Sequence, residues 1–248
     1  MSEISIRAEE LFTIGSFPVT NSLLLSVLSL FVLIAIALLL HSKLALVPGK
    51  LQTIFEVFIE QMLVLMDSVL GSRKLSEKYL PLIATIFLFI VTSNWLGLFP
   101  FVGPLGIYHY TEHGKTLVPL FRSPASDLNF TVALGMIAMF GVNFLALLAL
   151  GVKRHLSKFF TVKNPIFSFV GILEFMSEFV KIISFSFRLF GNVFAGEVLL
   201  LIVGFLIPYV VPLPFMFLEL FVGFIQAFIF SMLTLVFMAM AVSHEEAH

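Results

Sequence analysis

The sequence predicts an all-α integral membrane protein with about five membrane crossings. Of its 248 residues, 60% are hydrophobic and 12% are charged, and the mean hydropathy is +1.10. Soluble domains are about half apolar and a quarter charged. Apolar runs of about 20 residues, the length that spans a bilayer, recur along the chain between short basic segments. These observations together favour a polytopic helical protein.

The first part of the chain predicts two crossings and one surface helix. Residues 1–21 are polar or mixed and form an extramembrane lead, whereas 22–40 carry no charge over 19 residues and predict the first crossing. In 51–72, apolar residues recur at spacings of three and four, with acidic residues largely off that stripe. This pattern is typical of an amphipathic helix on the membrane surface or against neighbouring helices. Residues 80–99 predict the second crossing, with Trp95 near its end as an interface anchor.

The second part predicts one loop and three more crossings. A proline-containing loop at 100–127 precedes the third crossing at 128–152. The apolar segments 164–211 and 213–243 are well above the length of about 20 residues that is needed to span. Over-long helices tilt, so these two predict a hairpin of strongly tilted helices. Residues 244–248 form a short tail.

Basic residues orient these crossings. They concentrate in 41–78 and 153–163, whereas the 100–127 loop has only Lys115 and Arg122. Because positive residues favour the cytoplasmic side, the N-terminus and that loop are expected outside and the C-terminus inside. Three closely spaced basic residues are expected to end the amphipathic helix: Arg73, Lys74 and Lys78.

Composition also bears on the classes of site and partner. The chain has no cysteine, so it has no disulfide framework and no thiolate metal site. Its histidines show no metal-ligand spacing, and no cofactor or metal is expected. A net charge of -1 argues against nucleic acid as a partner. The acidic first 20 residues are unlike the positively charged start of a signal peptide.

One arginine interrupts a long apolar run, Ile182–Leu201, which reads IISFSFRLFGNVFAGEVLLL. The Arg188 guanidinium cannot lose its proton, because its pKa is above ~12. Its cost at the bilayer centre is about +2.5 to over +10 kcal/mol. We therefore interpret Arg188 as a fixed positive charge that faces a cavity or a partner's carboxylate. The structural alternative is an arginine that snorkels to one interface.

Two polar neighbours refine this interpretation. Asn192 follows Arg188 by four residues and shares its helical face, whereas Glu197 follows by nine and falls on the opposite face. Glu197 therefore cannot neutralise Arg188 within one helix. Two opposite charges held at different depths favour a proton path over a structural ion pair.

The motif FRLFGNVFAGE around Arg188 resembles the signature of subunit a of the F-type ATP synthase. Residues Glu219–Leu235, ELFVGFIQAFIFSMLTL, resemble the last helix of the same family, and FTIGSFPVTNSLL and SDLNFTVALG are also similar to it. The resemblance covers essentially the whole chain. It implies a stator subunit beside a ring of c subunits, held by the b subunits of the peripheral stalk. The short acidic N-terminus favours a bacterial plasma membrane over a plastid or mitochondrial one.

The resemblance also implies a mechanism. Two aqueous half-channels lead to the ring, and Arg188 faces the ring's carboxylates. It promotes their deprotonation, and its permanent charge bars protons from passing directly between the half-channels. The subunit is not expected to hydrolyse ATP, and the sequence contains no G-x-x-x-x-G-K-[ST] loop. The choice between proton and sodium belongs largely to the ring.

Further candidates for proton translocation lie on the two long helices. Members of the family commonly have an acid and a histidine at the positions of Glu197 and Glu219, whereas this chain has two glutamates. Two close carboxylates in a low dielectric share a proton. Gln226 follows Glu219 by seven residues on the same face, and the resemblance places it near the arginine. For Gln226 and Asn192, a plain interhelical hydrogen bond is the alternative.

Two other groups are candidates for lining the channels. Asp127 and Asn129 stand at the start of the third crossing, at an external entrance or as loop-end caps. Three charged residues at spacings of four and three share one face near the cytoplasmic side, at an inner half-channel or on a solvated helix end: Glu174, Glu178 and Lys181.

Two rival functions come from other classes. A stand-alone ion-coupled secondary transporter would use Arg188 and the two glutamates as its own substrate site, but no internal repeat is evident. An intramembrane hydrolase would need a metal motif or a nucleophile with its base, and the crossings show neither.

Overall fold

The computed structural model describes residues 8–99, 102, 105–111, 114–152, 165–208 and 210–243. In this part of the chain there are six α-helices, and all except the second are long and apolar enough to cross a membrane. The predicted all-α membrane class with five crossings is confirmed. The helices are α1 (Asn21–Ser42), α2 (Lys50–Leu70), α3 (Arg73–Gly97), α4 (Leu128–Leu150), α5 (Pro165–Leu206) and α6 (Pro212–Ser243).

Two antiparallel β-hairpins lie in segments that the sequence predicted as irregular. The first joins β1 (Glu10–Ile14) to β2 (Phe17–Thr20), and the second joins β3 (Gly106–Thr111) to β4 (Gly114–Pro119). Their strands of four to six residues are too short for a clear alternating pattern. The buried Asn21 links both, since its amide nitrogen is 3.4 Å from Glu9 Oε2 and from the Pro119 carbonyl oxygen.

The amphipathic helix predicted over 51–72 lies at α2, Lys50–Leu70. Gly71 ends α2 in the left-handed conformation (φ 68°), and Arg73 is the first residue of α3. Arg73 instead ties the two helices together, through Glu60 at 2.7 Å and Asp67 at 3.1 Å. A hydrogen bond from Ser76, helped by Arg73, holds the pKa of Asp67 below its ordinary value.

One end of the bundle carries both β-hairpins, and we call it the hairpin end. There the starts of α1 and α4 meet, because Ser22 donates its hydroxyl to Asp127 Oδ2 at 2.7 Å. Asp127 is also the N-cap of α4, since its Oδ1 accepts from the Asn129 backbone at 3.0 Å. The end of α3 joins the start of α6 at the same end, where Trp95 Nε1 donates to the Leu220 carbonyl at 3.1 Å.

We expect Asp127→Ala to lower the thermal stability of the protein. Losing the cap costs about 0.5–2 kcal/mol, and losing the hydrogen bond from Ser22 to a charged acceptor adds about 1.5–3 kcal/mol. Thermal unfolding in detergent measures the change. Asn129→Ala is the matched control, because the Asn129 side chain is exposed. Equal melting temperatures for the two variants would contradict the bond network.

The two longest helices, α5 and α6, form an antiparallel hairpin. With 42 and 32 residues, they extend about 63 and 48 Å at 1.5 Å per residue, beyond the ~30 Å apolar core of a bilayer. Phe185 of α5 stacks on Phe230 of α6 with ring centroids 4.7 Å apart. These rings belong to an apolar core shared with α3 and α4.

Two segments named in the sequence analysis lie outside the described residues. They are the basic region 153–163 and the tail 244–248.

Candidate functional site

Arg188 lies in the middle of an exposed stripe along α5. The exposed side chains of this stripe recur every three or four residues. All of them are apolar except Ser184, Arg188 and Asn192. The opposite face packs into the bundle through Phe185, Leu189 and Val193. We call this face the arginine stripe: Ile172, Met176, Val180, Ile183, Ser184, Phe187, Arg188, Asn192, Ala195, Leu199 and Ile202.

Two polar side chains of α5 form hydrogen bonds with Arg188. Its Nη2 donates to the Ser184 hydroxyl at 3.2 Å, one turn away. Asn192 donates its amide to the Arg188 backbone carbonyl at 3.1 Å. Among the described residues, no acidic side chain forms an ion pair with Arg188. The positive charge is therefore uncompensated on an apolar surface.

Glu197 lies on a different face of α5 from Arg188. Its Oε1 is 3.4 Å from Nε of Arg122, a side chain that is only 9% exposed. Arg122 precedes the short 3₁₀ turn Pro124–Ser126, so this pairing joins α5 to the segment between β4 and α4. The side chains of Arg188 and Glu197 thus point apart, as their spacing predicted.

Glu197 and Glu219 line one cleft of about 310 Å³ at the hairpin end. Glu219 is 8% exposed, and its carboxyl group lies directly against the Cα of Gly196. In this part of the structure, three side chains lining the cleft have a buried oxygen with no hydrogen-bond partner: Asn94, Ser123 and Glu197. Buried polar atoms of this kind are ordinarily satisfied by water. The cleft therefore suits a chain of water molecules.

A second polar cluster lies toward the opposite end of α5. Lys181 pairs with Glu178 Oε1 at 2.7 Å, and Asn143 of α4 donates to Glu178 Oε2 at 3.1 Å. Lys181 also lies over the Phe237 ring of α6, 4.8 Å from its centroid. Glu174 is partly buried one turn before Glu178. The cluster joins three helices and is only partly exposed.

An apolar layer separates the two polar regions inside the subunit. Phe185, Leu189 and Val193 of α5 pack with Ala227 and Phe230 of α6, and all five are nearly fully buried. At 1.5 Å per residue, Glu197 and Glu178 lie about 14 and 15 Å along α5 on either side of Arg188. These five apolar side chains lie between the two polar regions at about the level of Arg188.

The structure gives each remaining candidate a position. The contacts Phe185–Phe230 and Gly196–Glu219 set an antiparallel register that puts Gln226 at about the level of Arg188. The Gln226 side chain is partly exposed. Asp127 is buried as a helix cap, and Asn129 is exposed beside it. Neither residue lines the cleft described above.

Sequence reasoning missed two residues that contact the acids of the cleft. Arg122 entered only as a loop charge, because its partner Glu197 is 75 residues away in the chain. Gly196 directly precedes Glu197 in the AGE motif. A glycine next to an acidic residue in an apolar run was the sequence signal that could have indicated a close contact here. Gly196 of α5 contacts Glu219 of α6, and the residue pattern of one helix does not show a contact between two helices.

The chain matches known proteins over most of its length. The family described as ATP synthase A chain matches residues 23–239. ATP synthase subunit a of Mycobacterium ulcerans (strain Agy99) is 34% identical over 234 residues, covering 92% of this chain and 89% of the relative. The protein of the same name from Campylobacter fetus subsp. fetus (strain 82-40) is 34% identical over 222 residues, covering 88% and 90%. The chain therefore belongs to the ATP synthase subunit a family, the multi-pass proton-translocating stator subunits of the synthase membrane sector.

Proposed function

We propose that this chain conducts protons to and from a ring of c subunits through two half-channels that meet only at the ring. The cleft with Glu197 and Glu219 forms the external half-channel. The cluster with Glu174, Glu178 and Lys181 lines the inner one. In this assignment the hairpin end faces outward and the C-terminus is cytoplasmic, in a bacterial plasma membrane. Asp127 and Asn129 stand near the external entrance.

The observation that carries the proposal is the position of Arg188. A permanent cation on an exposed apolar stripe, without an acidic partner among the described residues, needs an anion from another chain. Each c subunit supplies one carboxylate at the ring surface. Opposite charge favours the ionised form of an approaching carboxyl group, so the ring gives up its proton near Arg188.

Rotation then completes the transfer. The ionised carboxylate moves past Arg188 to the other half-channel, where it takes up a new proton before it returns to the lipid. The apolar layer at Phe185, Leu189 and Phe230 blocks passage inside the subunit, and the charge of Arg188 blocks it along the surface. Ser184 accepts a hydrogen bond from the guanidinium, and Asn192 and Gln226 act at about the same level. The b subunits hold the chain still while the ring turns.

A reconstitution experiment separates this function from that of a stand-alone transporter. We expect vesicles containing the isolated chain to show no substrate-coupled proton movement, and vesicles with the complete synthase to pump protons when ATP is added. In the complete synthase, we expect Glu197→Gln to slow pumping about tenfold, the usual scale for losing one proton-transfer or pairing group. Substrate-coupled proton uptake by the isolated chain would favour the transporter instead.

A further inference from the structure

Arg122 is a buried cation beside the cleft, where it pairs with the cleft residue Glu197. Its side chain is 9% exposed, and its Nε–H is donated to the Ser126 hydroxyl at 3.1 Å. The same nitrogen is 3.4 Å from Glu197 Oε1. Because Nε carries one hydrogen and Ser126 accepts it, the contact with Glu197 is an ionic pairing at the long edge of hydrogen-bond range. A buried guanidinium needs a counter-charge of this kind.

The two acids of the cleft have different surroundings. Glu197 has Arg122 beside it, whereas no basic side chain in the described part of the chain forms an ion pair with Glu219. Glu219 is the more buried of the two and lies against the Gly196 backbone. Asn94 of α3 and Ser123 of the connecting segment also face the cleft, but both are uncharged. The cleft is therefore lined by two carboxyl groups that are not equivalent, because only Glu197 is paired with a cation beside it.

We propose that Arg122 is a positioning residue that pairs with Glu197 and holds it in place, so that Glu219 alone carries protons through the external half-channel. This inference rests on the function proposed above. A guanidinium stays charged, and Arg122 is the cation that pairs with Glu197, whereas Glu219 has no ion pair among the described residues. Two neighbouring carboxyl groups in a poorly solvated site do not both ionise easily. The mobile proton is therefore left to Glu219, which receives it from the water in the cleft and passes it to the ring carboxylate.

The assignment predicts an unusual pattern of rescue. Arg122→Gln leaves Glu197 without its cation, and Glu197→Gln leaves Arg122 buried without its anion. Each change breaks a pair by removing one partner, which is costly, whereas removing both partners together is far less so. If Glu197 carries no proton itself, the double variant recovers function. No such rescue is available to Glu219→Gln, because that change removes the proton carrier.

ATP-driven proton pumping by the complete synthase in vesicles tests this pattern. We expect Arg122→Gln and Glu197→Gln each to lose about tenfold, and the double variant to return to within about threefold of the native rate. We expect Glu219→Gln to lose more than about tenfold, with no recovery when Arg122→Gln is added. Arg122→Lys keeps a positive charge but loses the planar fork of donors, so it should lose less than Arg122→Gln without reaching the native rate. The amount of assembled synthase in each membrane is measured to correct for folding losses.

The possible results separate the role of the Arg122–Glu197 pair from the proposed proton path through the cleft. A double variant as slow as Glu197→Gln would show that Glu197 carries protons, and a native rate for Arg122→Gln would show that the pairing has no role. Either result, with Glu219→Gln inactive, overturns the inference alone. A native rate for Glu219→Gln would instead remove the whole cleft from the proton path.

Discussion

Replacement of Arg188 by alanine is expected to abolish ATP-driven proton pumping by the assembled synthase and to open a passive proton leak. The variant removes the cation that favours ionisation of the ring carboxylate, and with it the charge that separates the two half-channels. We expect pumping to fall by about a hundredfold or more, the scale of losing a preorganised charge in a water-poor site. Fluorescence quenching by a pH-sensitive dye in inverted vesicles measures pumping, and the decay of an imposed pH gradient measures the leak.

Two further variants control this experiment. Arg188→Lys keeps a positive charge that can be lost by desolvation and lacks the planar fork of donors, so we expect it to pump poorly as well. Lys43→Ala removes an exposed charge just after α1 and should pump at the native rate. Normal pumping by Arg188→Ala, with normal levels of assembled synthase, would refute the role given to this residue.

Replacement of Gly196 by alanine is expected to impair pumping through Glu219. A Cβ atom at position 196 would overlap the Glu219 carboxyl group, which lies against this glycine. Glu219 is nearly fully buried, so moving it requires repacking. Overpacking of this kind costs about 1–3 kcal/mol, and if the proton-transfer step bears this cost, its rate falls roughly 5-fold to 150-fold. Initial rates of ATP-driven pumping measure the loss.

One control for Gly196→Ala changes another glycine of α5, and a second variant shortens the Glu219 side chain that contacts Gly196. Gly204→Ala also adds a methyl group to α5, but nothing lies within 4 Å of that position, so the native rate is expected. Adding Glu219→Asp to Gly196→Ala shortens the acid by one methylene group and should restore part of the activity. If Gly196→Ala pumps as fast as Gly204→Ala, Glu219 does not pack against α5 in the working synthase.

The fold class was accessible from the sequence because a membrane helix is a local property. An uncharged run such as 22–40 must span, and the observed α1, Asn21–Ser42, extends it by only one residue at the start and two at the end. The start of α3 was harder to predict from the sequence. Arg73 and Lys74 are typical of a cytoplasmic connection, but Gly71 ends α2 and Arg73 already begins α3. The β-hairpins depend on pairing across a turn, and their short strands carry little pattern of their own.

Some features of the candidate site were predictable from the sequence, and others depend on contacts between distant segments. Arg188 was recognisable because a charge in an apolar run costs energy wherever it occurs, and its separation from Glu197 followed from helical periodicity alone. The pairing of Arg122 with Glu197 and the contact of Gly196 with Glu219 depend on how distant segments pack. No spacing along one helix encodes either contact.

Disulfide cross-linking to the ring tests most directly whether the arginine stripe faces the c subunits. The chain has no cysteine of its own, so single cysteines can be placed without background. Ala195→Cys lies on the stripe two turns from Arg188, whereas Phe140→Cys lies on the exposed face of α4. With a cysteine beside the ring carboxylate, we expect rapid cross-linking at position 195 and none at position 140. Cross-linking at position 140 alone would place another face against the ring and contradict the account.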